Sequence, residues 1–162
     1  MSGSRSGLGL PERILEVVYA EARRAFPAEC CGFLFGPRGG DAVSGAHPCR
    51  NAQDAGGHPT PAAAERSAET AYVIAGEDLL ALVRSIDGPE PAKIIYHSHP
   101  NGRAYFSATD QAAAADPWGE GPMYPCLQMV VGVTGERVVE AAVFAWRDGA
   151  FAEVDRWSVD WR

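Results

Sequence analysis

No apolar run in this 162-residue chain approaches the roughly 18 residues that a membrane span needs. The opening stretch, MSGSRSGLGLPER, lacks the apolar core of a signal peptide. None of the four cysteines (Cys30, Cys31, Cys49 and Cys126) forms a C-x-x-C pair, which argues against a cysteine-rich zinc site. These absences together predict reduced thiols and a cytoplasmic location. Positive charge is also scarce. Lys and Arg number 14 against 21 Asp and Glu, a formal charge of −7. The excess acid lies after residue 50. Phosphate binding is mainly electrostatic, so DNA and RNA are poor first guesses for a partner.

What is present is an ordinary globular composition, 46% hydrophobic and 22% charged. The length suits one domain with one core. The expected organisation is a frayed Gly/Ser-rich segment at 1–10, a single domain over 11–155, and a tail at 156–162 onto which Trp157 and Trp161 pack.

Spacing predicts a helix from Pro11 to Phe26, with Ile14, Val17, Val18, Ala22, Ala25 and Phe26 on one face. Cys31 to Phe35 reads as a buried strand, followed by a turn at 37–41 and a returning strand over 42–49. Residues 52–69 read as a long loop. A short strand is expected at 71–74, a helix from Glu77 to Asp87, and a buried strand from Lys93 to Tyr96. A third helix spans 107–115. An antiparallel meander closes the chain over 127–133, 137–146 and 151–154. His47 and His58 sit in Pro-flanked loops and are expected to face solvent.

The chemistry concentrates in His97-Ser-His99-Pro-Asn-Gly-Arg-Ala-Tyr-Phe-Ser107-Ala-Thr-Asp110. Residues two apart in an extended chain share a side, so His97 and His99 face one point. Asp110, in the first turn of the next helix, is placed to add a carboxylate. Two imidazoles and a carboxylate suit Zn²⁺ and leave a coordination position open, as catalytic zinc sites do. Glu29, just before the Cys31 strand, is the candidate proton shuttle. Competing readings exist for each group. Ser107-x-x-Asp110 is also a capping box. Glu29 alone would be an exposed charge in a turn. Cys30 or Cys31 could be a nucleophile, though buried free cysteine is more often core.

Taken together, a glutamate followed later by H-S/T-H-P-x6-S-x2-D resembles the signature of the JAMM (MPN+, or JAB) zinc metalloproteases. Glu29 precedes Cys31-Gly-Phe-Leu-Phe-Gly36 as the family glutamate precedes its own strand, and His97, Ser98, His99, Pro100, Ser107 and Asp110 fall at family positions. The resemblance runs over about residues 11–155. It implies an α/β fold with a curved mixed sheet flanked by helices, similar to cytidine deaminase. The deaminase ligands H-x-E and P-C-x-x-C are missing, so deamination is not expected. It implies one Zn²⁺ per chain on His97, His99 and Asp110, with Glu29 as base and Ser107 as oxyanion donor. The short form looks like the bacterial branch, which trims ubiquitin-like sulfur-carrier proteins of the ThiS/MoaD type after their C-terminal Gly-Gly. Two other classes remain open: a non-catalytic MPN scaffold and a RadC-like, DNA-associated protein. The complete ligand set, the CCGFLFG strand and the acidic balance favour the peptidase.

Overall fold

Proline has no N–H to leave unpaired and its ring presets a helical φ, so Pro11 opens a helix, and Pro27 follows its end. Helix α1 runs Glu12–Ala25 and buries Ile14, Leu15, Val18, Tyr19 and Ala22. Val17, expected on that face, is 39% exposed. Leu15 and Tyr19 complete the stripe instead. The computed structural model describes residues 8–55 and 66–162. Most of the expected 52–69 loop, with His58, lies outside the described residues.

The remaining elements are β1 (Cys31–Phe35), β2 (Gly45–Cys49), a 3₁₀ turn (Gln53–Ala55), α2 (Gly76–Ile86), β3 (Ala92–His99), α3 (Ala108–Ala114), β4 (Leu127–Val133), β5 (Val138–Arg147) and β6 (Ala150–Trp161). The strands form one six-stranded sheet in the order β2-β1-β3-β4-β5-β6. Only the central β3–β4 pair is parallel. Parallel neighbours need a crossover, and α3 with its flanking loops supplies it. This is the mixed α/β sheet flanked by helices that the motif resemblance implies.

Alternation along β3 sorts its side chains between two faces. Ile94 and Tyr96 pack with α1, Leu34, Met129, Val131 and Trp157. Ile95 packs on the opposite face with Cys31, Phe33 and Leu82 of α2. A third cluster on Val130, Ala142, Phe144 and Phe151 takes in Ala104 and Ala114. The two-residue period therefore sends His97 and His99 to the face that carries α2.

Three further expectations need correction. The returning strand starts at Gly45 rather than residue 42, because Lys93 Nζ donates to the carbonyls of Pro37 (2.7 Å), Gly40 (2.5 Å) and Ala42 (2.9 Å) and gathers the preceding loop. Residues 71–74 are not a strand. Asn51 Oδ1 accepts from Val73 N (3.1 Å) and Ala52 N donates to Val73 O (2.9 Å), which ties the segment to a turn instead of a sheet edge. Residues 156–162 are not a tail. β6 continues to Trp161 with Trp157 and Val159 buried and Ser158 between them exposed, the period of a half-buried strand. Trp157 Nε1 donates to Tyr19 Oη at 2.8 Å, and burial raises the Tyr19 hydroxyl pKa to about 12.

No helix among the described residues is long and apolar enough to cross a membrane.

Since Trp157 is core, Trp157→Ala should cost about 3–5 kcal/mol, measured by urea unfolding. A change within about 0.5 kcal/mol would return the residue to a dispensable surface role.

Candidate metal centre

Strand β3 pairs with β1 as far as His97 and with β4 as far as His99, which fixes the backbone of both histidines. His97 and His99 are 0% and 5% exposed, and their Nε2 atoms approach to 3.1 Å. The chain then turns back over the sheet. Gly132, the β4 partner of His99, makes room for this. A Cβ there would lie 2.5 Å from the Gly102 carbonyl carbon. Gly102 takes φ +79°, open to glycine at little cost, and its N–H donates to Val133 O (3.1 Å).

The turn delivers Ser107 to the N-cap of α3. Ser107 Oγ accepts from Asp110 N (3.1 Å), and Ser107 N donates to Asp110 Oδ2 (3.0 Å). The capping box is real, and it does not exclude the ligand role. The same carboxylate places Oδ1 3.2 Å from His97 Nε2 and Oδ2 3.1 Å from His99 Nε2. Ser107 Oγ acts as acceptor here, which leaves its O–H free to donate.

Protons alone do not reconcile these contacts. If both Nε2 atoms carry hydrogen, two N–H groups oppose each other; if either lacks it, a lone pair faces the carboxylate. A cation among the donors removes the conflict. Donors around a tetrahedral zinc at about 2.0–2.1 Å lie roughly 3.3–3.4 Å apart, close to the separations seen. The residues fit a zinc ion. The Nδ1 atoms of both histidines are buried without a hydrogen-bond partner among the described residues.

Burial alone would raise the Asp110 carboxyl. Hydrogen bonds from His97, His99 and the Ser107 N–H outweigh it and hold Asp110 far below the usual carboxylate range. Burial lowers His97 despite the Asp110 carboxylate beside it.

Glu29 is 4% exposed, with a carboxylate oxygen within 4.8 Å of a ring nitrogen of both His97 and His99. It is not the exposed turn charge that its sequence position alone would give. Burial, then repulsion from Asp110, raises its pKa to about 8 against the pull of Arg66. Its backbone is clamped on both sides: N donates to Ala68 O (2.7 Å), and Asn51 Nδ2 donates to its carbonyl (2.9 Å). Ser98, between the two histidines, holds the next residue. Its Oγ accepts from Cys30 N (2.8 Å), and its N donates to Cys30 O (3.1 Å). The sequence does not reveal Asn51 and Ser98 as supports, because their partners are distant in the chain.

Cys30 and Cys31 are buried, and burial pushes Cys30 to about 12 and Cys31 higher still. Neither environment favours a thiolate nucleophile.

Aromatic rings wall the centre. Tyr72, expected only as a strand residue, stacks on His97 with centroids 4.6 Å apart. Tyr105 lies 4.7 Å from His99 and is half exposed. Phe106 is partly buried against Phe144 and Phe151, whereas Trp118 is 80% exposed. An ion pair from β5 and β6 pins the intervening loop. Glu140 Oε2 accepts from Ala104 N (2.8 Å), Arg156 Nη2 donates to Ala104 O (2.6 Å), and the pair closes at 2.9 Å. A groove of about 660 Å³ runs along Asn101 to Tyr105 there.

The family model described as prokaryotic homologs of the JAB domain matches residues 11–148, and the chain belongs to that family. Among named relatives, the CysO-cysteine peptidases of Mycobacterium tuberculosis and Mycobacterium bovis are 35% identical over 104 residues. That match spans 64% of this chain and 63% of the relative's length. A solution structure from Desulfitobacterium hafniense has the same fold, with TM-score 0.60 and 23% identity over 90% of this chain and 88% of the other. One from Salinibacter ruber gives TM-score 0.55 and 22% identity over 90% and 86%.

Glu29 makes the metal-free protein sensitive to pH. The folded pKa of about 8 lies above the ordinary 4.5, so the native state binds more protons between those values. Stability should therefore fall as pH rises through that window. Below about pH 6.5 the lowered His97 works in the opposite sense, so in chelator-treated protein the melting temperature should drop from pH 7 to pH 8, and Glu29→Gln should flatten that part of the profile. Identical profiles for the two proteins would show that Glu29 titrates normally.

Proposed function

We propose that the protein is a zinc-dependent peptidase. It would hydrolyse the bond after the C-terminal Gly-Gly of a ubiquitin-like sulfur-carrier protein and release an amino acid or a short tail. The observation that carries this reading is the convergence of His97, His99 and Asp110 beside the buried carboxyl of Glu29. The family and the name of the mycobacterial relatives support it.

His97 Nε2, His99 Nε2 and Asp110 would hold the metal. Bound zinc supplies Lewis-acid charge and lowers the pKa of water to about 7. Glu29 takes the proton of the attacking water at a carboxylate oxygen and returns it to the leaving amine. A nearby cation also favours the ionised form that this step needs. Asn51 and Ser98 keep that carboxylate in place through the backbone on either side of it. Ser107 donates its hydroxyl hydrogen to the carbonyl oxygen as negative charge grows there. The Glu140–Arg156 pair fixes the loop that presents Tyr105. A glycine tail suits a passage between the 101–106 and 116–125 loops, because a Cβ would crowd the metal side.

Mass spectrometry of a carrier bearing Gly-Gly-Cys, mixed with the purified protein, tests the proposal. Loss of cysteine, blocked by a chelator, is expected. Glu29→Gln should keep its zinc and slow cleavage about 10²–10⁴-fold. His97→Ala, His99→Ala and Asp110→Ala should each lose about one zinc per chain. Undiminished turnover in Glu29→Gln would remove the assigned base.

Changing the carrier's last glycine to valine should block cleavage far more than changing the residue after the cut. Equal rates for Gly-Gly and Gly-Val tails would remove the narrow-passage argument and most of the case for a sulfur-carrier substrate.

A further inference from the structure

His47 was expected to face solvent from a loop. It lies on β2 rather than in a loop and its side chain is 37% exposed, with the ring stacked on Phe33 at 4.6 Å and 9° and Nε2 3.1 Å from Asp78 Oδ1. Cys49, two residues on, shares that side of the strand and is buried. One donor atom from each of His47, Cys49 and Asp78 lies within 4.8 Å of the other two.

The arrangement repeats the plan of the first centre. There, two ligands stand at i and i+2 near the end of β3, and a carboxylate comes from the third residue of α3. Here, His47 and Cys49 stand at i and i+2 at the end of β2, and Asp78 is the third residue of α2. The donors are oriented before any ion arrives. Arg50 N donates to Asp78 Oδ2 at 2.8 Å, which turns Oδ1 toward His47, and the Phe33 stack fixes the imidazole plane. Among the described residues the Cys49 thiol donates only in a long 3.6 Å contact to the His47 carbonyl.

We propose that His47, Cys49 and Asp78 form a second metal site, selective for a thiophilic divalent cation such as Zn²⁺. Nitrogen, thiolate and carboxylate donors suit zinc and disfavour Mg²⁺ and Ca²⁺. Coordination displaces the thiol proton, which leaves to solvent. The ion would tie the end of β2 to the first turn of α2, around the Arg50-Asn51 turn. Asn51 holds the Glu29 carbonyl, so this brace stands behind the general base.

Cobalt(II) separates the two sites, because the His97–His99–Asp110 set contains no sulfur. The metal-stripped full chain, titrated with cobalt, should bind about two ions. It should also develop near-ultraviolet thiolate-to-cobalt charge-transfer absorption. Cys49→Ser should abolish that absorption and bind one ion fewer. Asp78→Asn retains an acceptor for Arg50 N and thus the local fold, yet should weaken the same absorption at least tenfold in cobalt affinity. The doubly substituted His97→Ala, His99→Ala chain should keep it. No charge-transfer absorption at saturating cobalt would overturn the site, as would absorption that survives Cys49→Ser.

Discussion

The Asp110 carboxylate meets two demands with one group. It closes the N-terminal box of α3 through the Ser107 N–H, and it faces both imidazoles of β3 at hydrogen-bond distance. Local helix chemistry and the candidate metal centre therefore constrain each other. The helix can start only where the strand's histidines are, and the turn between them must cross the sheet. Gly132 and Gly102 permit that crossing, and the Glu140–Arg156 pair holds the far side of the loop. A shift of α3 by one residue would lose both the cap and the contacts of Asp110 with the two histidines.

Such a site is expensive to bury. An ionised carboxylate, two imidazoles and a second carboxyl sit almost wholly out of water. Buried charges persist when they are paired or bind metal. Asp110 has its partners, whereas Glu29 Oε1 has none among the described residues. The fold compensates by fixing the Glu29 backbone through Ala68 and Asn51, and that of Cys30 through Ser98. This rigidity lets Glu29 stay close to the donors with its pKa shifted toward neutrality. Preorganisation of this kind is what proton transfer and charge stabilisation require.

Much of the centre was legible in the sequence because its signals are local. His97 and His99 read from strand alternation, and Ser107-x-x-Asp110 read from helix-start chemistry. The clean apolar run Cys31–Phe35 located β1, with Glu29 just ahead of it. The supports were not legible. Asn51, Ser98, Tyr72, Glu140 and Arg156 act on partners brought near only by tertiary structure. The length of β6 was missed for a different reason. Its alternation at Trp157, Ser158 and Val159 is a sound strand signal, but the closing Trp residues also suit a packed tail. Tyr19 of α1 decides between the two through its bond to Trp157. For His47 the sequence offered two placements, the returning strand over 42–49 and a loop suggested by the proline beside it, and the strand is the one found. Pro48 in fact lies on β2, an edge strand, where a missing N–H is tolerated.

The central claim is that a cap carboxylate and two strand histidines together bind one metal ion. Crystals of the zinc-loaded protein, measured on both sides of the zinc absorption edge, would locate that ion directly. The account predicts an anomalous peak within about 2.0–2.2 Å of His97 Nε2, His99 Nε2 and an Asp110 oxygen, with Ser107 still capping α3. Zinc-loaded crystals with no peak between these three residues would contradict it.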